Sequence, residues 1–275
     1  MPAPALGLLV CGGRWHDMDY ARLEILKLCA EDERIRMRVA DSYADIAALE
    51  SADFLITYTC DVIPAEREID ALEAFLARGR RWLALHGTNS VLRFLKGRGW
   101  EAPRSAPKFM QLLGSQFIAH PPIAPYRVEV SDSTHPLVAD LEPFEVDDEL
   151  YLMEYHGEHR ALLHTRYRGE APGFAARHWP GGHEQAPPSG PVTDTGSSSE
   201  ERQLVMYLHA HRGGEVLYCT LGHCRGKYDM RPMIAEYPTV ERGSWKLPVY
   251  RELLRRGIRW ALTPVLEPAP AGATA

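Results

Sequence analysis

Residues 53–88 read DFLITYTCDVIPAEREIDALEAFLARGRRWLALHGT. Asp53 to Tyr58 is an apolar run of strand length. Pro64 follows where a first helical turn tolerates proline. Ile69, Leu72 and Leu76 recur at helical spacing, and Gly79 closes that helix. Arg81 to Leu85 is the next buried strand and stops at His86-Gly87. A strand–helix–strand unit of this kind predicts a parallel pair with a right-handed crossover.

The same grammar extends towards the N-terminus. Ala5 to Cys11 is a buried strand that ends at the Gly12-Gly13 turn. A helix from about Asp17 to Ala30 carries Ala21, Ile25 and Leu28 on one face, and Ile35 to Val39 is a second strand. A short helix covers Ser42 to Leu49. The alternation predicts an α/β fold with a mostly parallel sheet and helices on both faces. Beyond residue 88 the pattern is weaker. It gives a helix at Phe109–Leu113 and strands at Tyr126–Val130 and Ala161–Arg166. A hairpin pairs Leu204–His211 with Val216–Leu221 around Gly213-Gly214. The last helix, Pro248–Leu262, has Tyr250, Leu254, Ile258 and Ala261 along one stripe. Gly181 to Arg202 is rich in Gly, Pro, Ser and Glu and reads as a surface loop. One domain over residues 1–263 and a frayed tail over 264–275 are expected.

Composition narrows the function classes. Apolar residues make up 45% and charged residues 25% of 275, enough for a packed globular core. The net charge of −6 argues against nucleic acid or an anionic membrane as partner. No apolar stretch is long enough to span a bilayer and no secretory signal is evident, so a cytoplasmic location is expected. The five cysteines are scattered without a CxxC pair and fit free thiols in a reducing compartment. The aromatic content suits a homo-oligomeric interface without demanding one. Twelve histidines are the compositional hint of chemistry.

In an open parallel sheet, ligands bind beyond the carboxyl ends of the strands. His16, His86 with Asn89, and His223 all follow strand ends. His120 follows a short helix, and Asp147-Asp148-Glu149 precede Tyr151. Adjacent acids repel, so such a run is either solvated or neutralised by a cation or by histidines. Bland readings stand beside these. Gly12-Gly13 lacks the full dinucleotide fingerprint and can be a plain turn, so no nucleotide cofactor is expected. His120 and His135 each precede proline and can be turn elements. His209 and His211 fit a half-exposed strand face better than a metal pair, and His156, His159, His164, His178 and His183 read as surface or loop residues. The turn after the fourth strand offers no Ser or Cys at its tip, which disfavours acyl-enzyme chemistry.

Taken in order, these segments resemble the ThuA-like (trehalose utilisation) family. The matching pieces are Gly12-Gly13 with His16, Leu85-His86-Gly87-Thr88, Leu113-Gly114 to His120-Pro121, and Asp132 to His135-Pro136. They continue with Asp148-Glu149-Leu150-Tyr151, the Val205–Tyr218 hairpin, Leu221-Gly222-His223 and Gly257-Ile258-Arg259-Trp260-Ala261. The resemblance implies a three-layer, flavodoxin-like, doubly wound fold of the class I glutamine-amidotransferase type, without the amidotransferase machinery. It also implies a role in bacterial carbohydrate metabolism, on disaccharides and their keto forms.

Two readings follow. The first is a hydrolase, lyase or isomerase acting on a carbohydrate. His86, His120, Glu149 and His223 would be catalytic, either holding one divalent Zn, Mn or Fe ion or working by Glu/His acid–base chemistry. His16 and Asp148 would stand behind the catalytic groups or touch substrate, and Tyr151 and Asn89 would touch substrate. The second is a non-catalytic ligand-binding or scaffold protein that kept the cleft, with a subunit partnering an oxidoreductase as a weaker variant.

Overall fold

The computed structural model describes residues 3–96, 99–174 and 201–266, with only the backbone of Glu201. In chain order the first elements are β1 (Ala5–Gly13), α1 (Met18–Cys29), β2 (Ile35–Ala40), α2 (Ile46–Ser51), β3 (Phe54–Cys60), α3 (Glu66–Ala77) and β4 (Arg81–Leu85). Then come β5 (Arg93–Leu95), β6 (Gly99–Glu101), α4 (Pro107–Leu113), β7 (Ser115–Ala119), β8 (Ala124–Val130), β9 (Phe144–Asp148) and β10 (Leu152–Tyr155). The chain closes with β11 (Arg160–Tyr167), β12 (Glu201–His211), β13 (Gly214–Cys219) and α5 (Pro248–Leu266).

Among the described residues nine strands form one sheet in the order β2-β1-β3-β4-β13-β12-β11-β8-β9. The sheet is not mostly parallel as expected. Pairings from β2 to β13 are parallel, and those from β13 to β9 are antiparallel. The parallel half comes from the continuous apolar runs. Alternate residues of each run serve two cores: Leu9, Cys11, Phe54 and Ile56 pack with α1 and α5, while Leu8, Val10, Leu55 and Trp82 pack with α2, α3 and α4. Both faces are thus covered, which is why these strands lack polar alternation.

The hairpin is a two-residue turn. His211 pairs with Gly214, and Arg212 and Gly213 have φ of 49° and 95°, as the twist of the flanking strands requires. Four expectations are corrected. Gly12 and Gly13 still belong to β1, paired with Thr59 and Cys60 of β3. Glu201 and Arg202 are in β12 and not in a loop, and residues 181–200 of the expected loop lie outside the described residues. α5 runs through Pro264 to Leu266, because a proline in the final turn displaces few helical bonds; 267–275 lie outside the described residues. His209 is buried, with its ring nitrogens 3.0 Å from Glu158 O and 3.1 Å from Gln111 O.

His159 is also interior, stacked on His209 at 5.3 Å between ring centroids. His178 and His183 lie outside the described residues. The His159 Nε2–H donates to Gly114 O at 2.6 Å, and burial pushes its pKa down to about 4. The unfolded ring titrates near 6.5, so the unfolded state binds more protons below that pH. The contribution of His159 is full above about pH 6.5 and is lost as pH falls towards 4. Urea unfolding at pH 6.5 and 4.5 is expected to show His159→Gln losing less stability than the native chain over that interval. An equal loss in both proteins contradicts this assignment.

Candidate functional site

Strand ends and close backbone approach build the site. A Cβ on Gly12 would lie 2.1 Å from Asp41 O, and one on Gly13 1.9 Å from Cys60 O. Only glycine lets β1 run that close to its neighbours before the chain turns. Arg14 N then donates to Cys60 O at 3.0 Å and Asp17 N to Cys224 O at 2.9 Å. Between these anchors Trp15 has φ of 72°, and His16 turns inward to 6% exposure.

His86 follows β4 in a single 3₁₀ turn, His86–Asn89, with φ of 45°. A bulky residue in that region is strained and persists only where its surroundings hold it. Here Tyr218 Oη donates to the His86 carbonyl. His223 follows β13, which pairs with β4, so its strand end adjoins that of His86.

The three adjacent acids go three ways. Asp147 faces solvent. Asp148 is fully buried: its Oδ1 accepts from Glu149 N (2.8 Å) and His223 N (3.1 Å), its Oδ2 from Gly222 N (3.1 Å) and Ser244 N (2.9 Å). β9 is the far strand in pairing order, yet these bonds tie its end to the turn after β13. Glu149 is thereby carried into the histidines.

One ligand atom from each of His16, His86, Glu149 and His223 lies within 4.8 Å of all the others. His16 Nε2 is 2.9 Å from His86 Nε2. Glu149 Oε2 is 3.5 Å from His86 Nε2 and 4.0 Å from His16 Nε2, and Glu149 Oε1 is 3.1 Å from His223 Nδ1. His120 Nε2 lies 3.6 Å from Glu149 Oε1, with a quarter of its side chain exposed. The other ring nitrogens fix the tautomers. His86 Nδ1 faces Thr220 O at 2.7 Å, His16 Nδ1 faces Arg14 O at 3.2 Å, and His120 Nδ1 faces Pro121 O at 2.7 Å. A carbonyl oxygen only accepts, so each Nδ1 carries hydrogen and donates. In the neutral form of each ring Nε2 then turns a lone pair towards the cluster. His223 is arranged the other way round: Nε2 meets Glu241 Oε2 at 2.7 Å, and buried Nδ1 faces Glu149 Oε1.

The electrostatics follow from this packing. Burial, then the neighbouring His86, holds His16 well below the usual imidazole value. Burial opposes charge on His223, but Glu149 and Glu241 raise it to about 10. Burial likewise opposes charge on Glu149, and the His223 and His120 imidazoles outweigh it and keep the carboxyl well below its ordinary range. Burial pushes Tyr151 well above its usual value, so its Oη, 3.3 Å from His86 Nε2, stays protonated.

A profile of the ThuA family, described as trehalose utilisation, matches residues 8–235. The chain belongs to the ThuA family. No curated protein matches it. Two solved structures described as ThuA-like are similar over nearly their whole length. One, from Bacteroides uniformis, has TM-score 0.59 at 16% identity, covering 96% of this chain and 94% of that one. The other, from Parabacteroides merdae, has TM-score 0.65 at 15% identity, covering 94% and 90%. A β-galactosidase of Rahnella sp. R3 shares the fold with TM-score 0.51 at 11% identity, covering 96% of this chain but 31% of that one. These likenesses carry the fold alone.

Within this ThuA chain the expected residues separate. His86, Glu149 and His223 converge, and His16 stands in the compact group in the place expected for His120, which lies at its exposed side. Tyr151 borders the group. Of the two places expected for Asp148, its four backbone bonds give it the one behind the site, as a clamp. Asn89 is fully buried and its Nδ2 donates to Ser115 Oγ at 2.6 Å, so its amide is directed into the interior. Sequence reasoning missed Glu241, which accepts from both His223 and Arg225, and the Thr220 carbonyl. Glu241 sits in an irregular polar segment, and only its cross-chain bridge with Arg225 reveals it. All five cysteines are buried and unpaired in disulfides, and burial drives Cys60 well above its usual value, far from a reactive thiolate. A groove of about 540 Å³ lined by Ser131, Asp132, Arg160 and Glu215 includes none of these groups; the site is placed by its chemistry, not by that concavity. No helix among the described residues is long and apolar enough to cross a membrane.

Proposed function

We propose that this ThuA-family chain, as one α/β domain with flavodoxin-like layering, is an enzyme of carbohydrate metabolism. Its site holds one divalent ion (Zn, Mn or Fe) between His16, His86, Glu149 and His223. The supporting observation is the 2.9 Å approach of His16 Nε2 to His86 Nε2 with both Nδ1 atoms committed to carbonyls. Two neutral rings so arranged would turn lone pairs at each other, which is unfavourable unless a proton or a metal ion lies between them. Burial of His16 disfavours a proton there. His223 Nδ1 and the Glu149 carboxylate, 3.1 Å apart, face the same point, where a metal ion would replace the proton that joins them. Three imidazoles and a carboxylate are a donor set that suits such ions. The separations, from 2.9 Å to at most 4.8 Å, span the roughly 3.3–3.6 Å edges of a tetrahedron with 2.0–2.2 Å bonds. Bonds from Nδ1 to carbonyls, and from Nε2 to Glu241, are the orienting contacts metal-binding histidines make.

What a bound ion supplies is Lewis acidity towards a ketone or glycosidic oxygen. The chain supplies the rest. His120, partly exposed with its Nδ1 held at Pro121 O, is placed to exchange a proton at Nε2: the neutral ring would take one from a carbon beside a ketone and the charged ring would return it to a leaving oxygen. Tyr151 keeps its O–H to bond an oxygen next to His86. The family's description as trehalose utilisation makes a disaccharide or its keto derivative the substrate class to test.

Turnover of keto-sugars and glycosides is expected in protein as purified, to vanish on chelation and to return when Zn, Mn or Fe is added back. Chelator-resistant turnover discards the metal, and no turnover across the panel discards the enzyme. Glu241→Gln keeps the shape but weakens the acceptor for His223. We expect metal affinity to fall about 10–100-fold in a competition titration; an unchanged affinity removes Glu241 from the site.

A further inference from the structure

Three aromatic side chains, Trp15, Trp100 and Phe174, lie beside the histidines. Trp15, next to His16, meets Trp100 edge-on at 4.9 Å between ring centroids. Trp100 bridges to Phe174 through the backbone, where Trp100 N donates to Gly173 O at 3.0 Å. Phe174 meets His120 edge-on at 4.9 Å, and His120 reaches Glu149 at 3.6 Å. The compact histidine group itself is nearly closed to solvent, so the exposed side at His120 is where a ligand enters. Trp15, Trp100 and Phe174 are only half-buried, and the Nε1–H of Trp15 is shielded from solvent with no hydrogen-bond partner among the described residues.

We propose that Trp15, Trp100 and Phe174 form a subsite for a second sugar ring, the one that does not react. The proposal rests on the carbohydrate reading above and names where its specificity lies. A pyranose presents a C–H face that packs on aromatic rings and a hydroxyl edge that accepts hydrogen bonds. The half-buried rings of Trp15, Trp100 and Phe174, beside the exposed side of the site, suit the C–H face. Binding energy gathered on a remote ring then positions the reacting one. The strained Trp15 φ of 72° is consistent: it sends Trp15 to the rim and His16 to the cluster from adjacent positions.

Calorimetric titration of the purified full chain with α,α-trehalose and with D-glucose tests this. The native chain is expected to favour trehalose by about tenfold or more, a margin of the size one aromatic platform gives. Trp100→Ala is expected to bring the two affinities within about threefold while keeping metal content, and Trp100→Phe to restore most of the preference. A preference that survives Trp100→Ala overturns the subsite and leaves the carbohydrate reading standing. If the native, metal-bearing chain binds neither sugar, both fall together.

Discussion

Asp148→Ala lowers the unfolding free energy by about 3–5 kcal/mol, a large part of what a domain has. The carboxyl group is fully buried and accepts from four backbone N–H groups, those of Glu149, Gly222, His223 and Ser244. Alanine leaves all four donors buried and unpaired, and each orphan costs about 1–3 kcal/mol before relaxation. Asp148→Asn keeps the shape but turns an N–H donor towards N–H donors, so it recovers only part of the loss. Urea denaturation checks this, and a loss under about 1 kcal/mol contradicts the clamp role. The consequence reaches the site, since these bonds hold Glu149 and His223 in position.

His86→Ala is expected to weaken divalent-ion binding at least about a hundredfold, or more than about 2.7 kcal/mol. His86 offers Nε2 from a ring that is fully buried, and its Nδ1 is tied to Thr220 O at 2.7 Å. No neighbouring side chain can substitute, because His120 is 3.6 Å beyond Glu149 on the exposed side. A ligand that binds only the folded chain raises its melting temperature. Chelation should therefore lower the melting temperature of the native chain by several degrees and leave His86→Ala unmoved. Equal shifts in the two proteins contradict the role of His86.

The sequence made the parallel half of the sheet readable because Phe54–Ile56 and Trp82–Leu85 are buried on both faces and apolar throughout. The antiparallel half was only partly readable. β9 reads Phe-Glu-Val-Asp-Asp, and its alternation is too short before the paired acids to mark a strand. The helix at residues 109–113 and the hairpin at Gly213 were legible because cap and turn chemistry is local. The site shows the same division. His16, His86 and His223 follow strand ends, a rule the sequence carries. That Asp148 would clamp backbone while Glu149 joined the histidines depends on where the last strand returns, which adjacent acids do not encode. The same holds for Glu241, whose meaning comes from packing against His223.

X-ray absorption at the metal edge, with elemental analysis of the same purified sample, tests whether His16, His86, Glu149 and His223 hold one divalent ion. About one Zn, Mn or Fe per chain is expected, with nitrogen and oxygen neighbours at about 2.0–2.2 Å and no sulfur. A chain that stays metal-free when offered these ions, or an ion with sulfur neighbours, contradicts it.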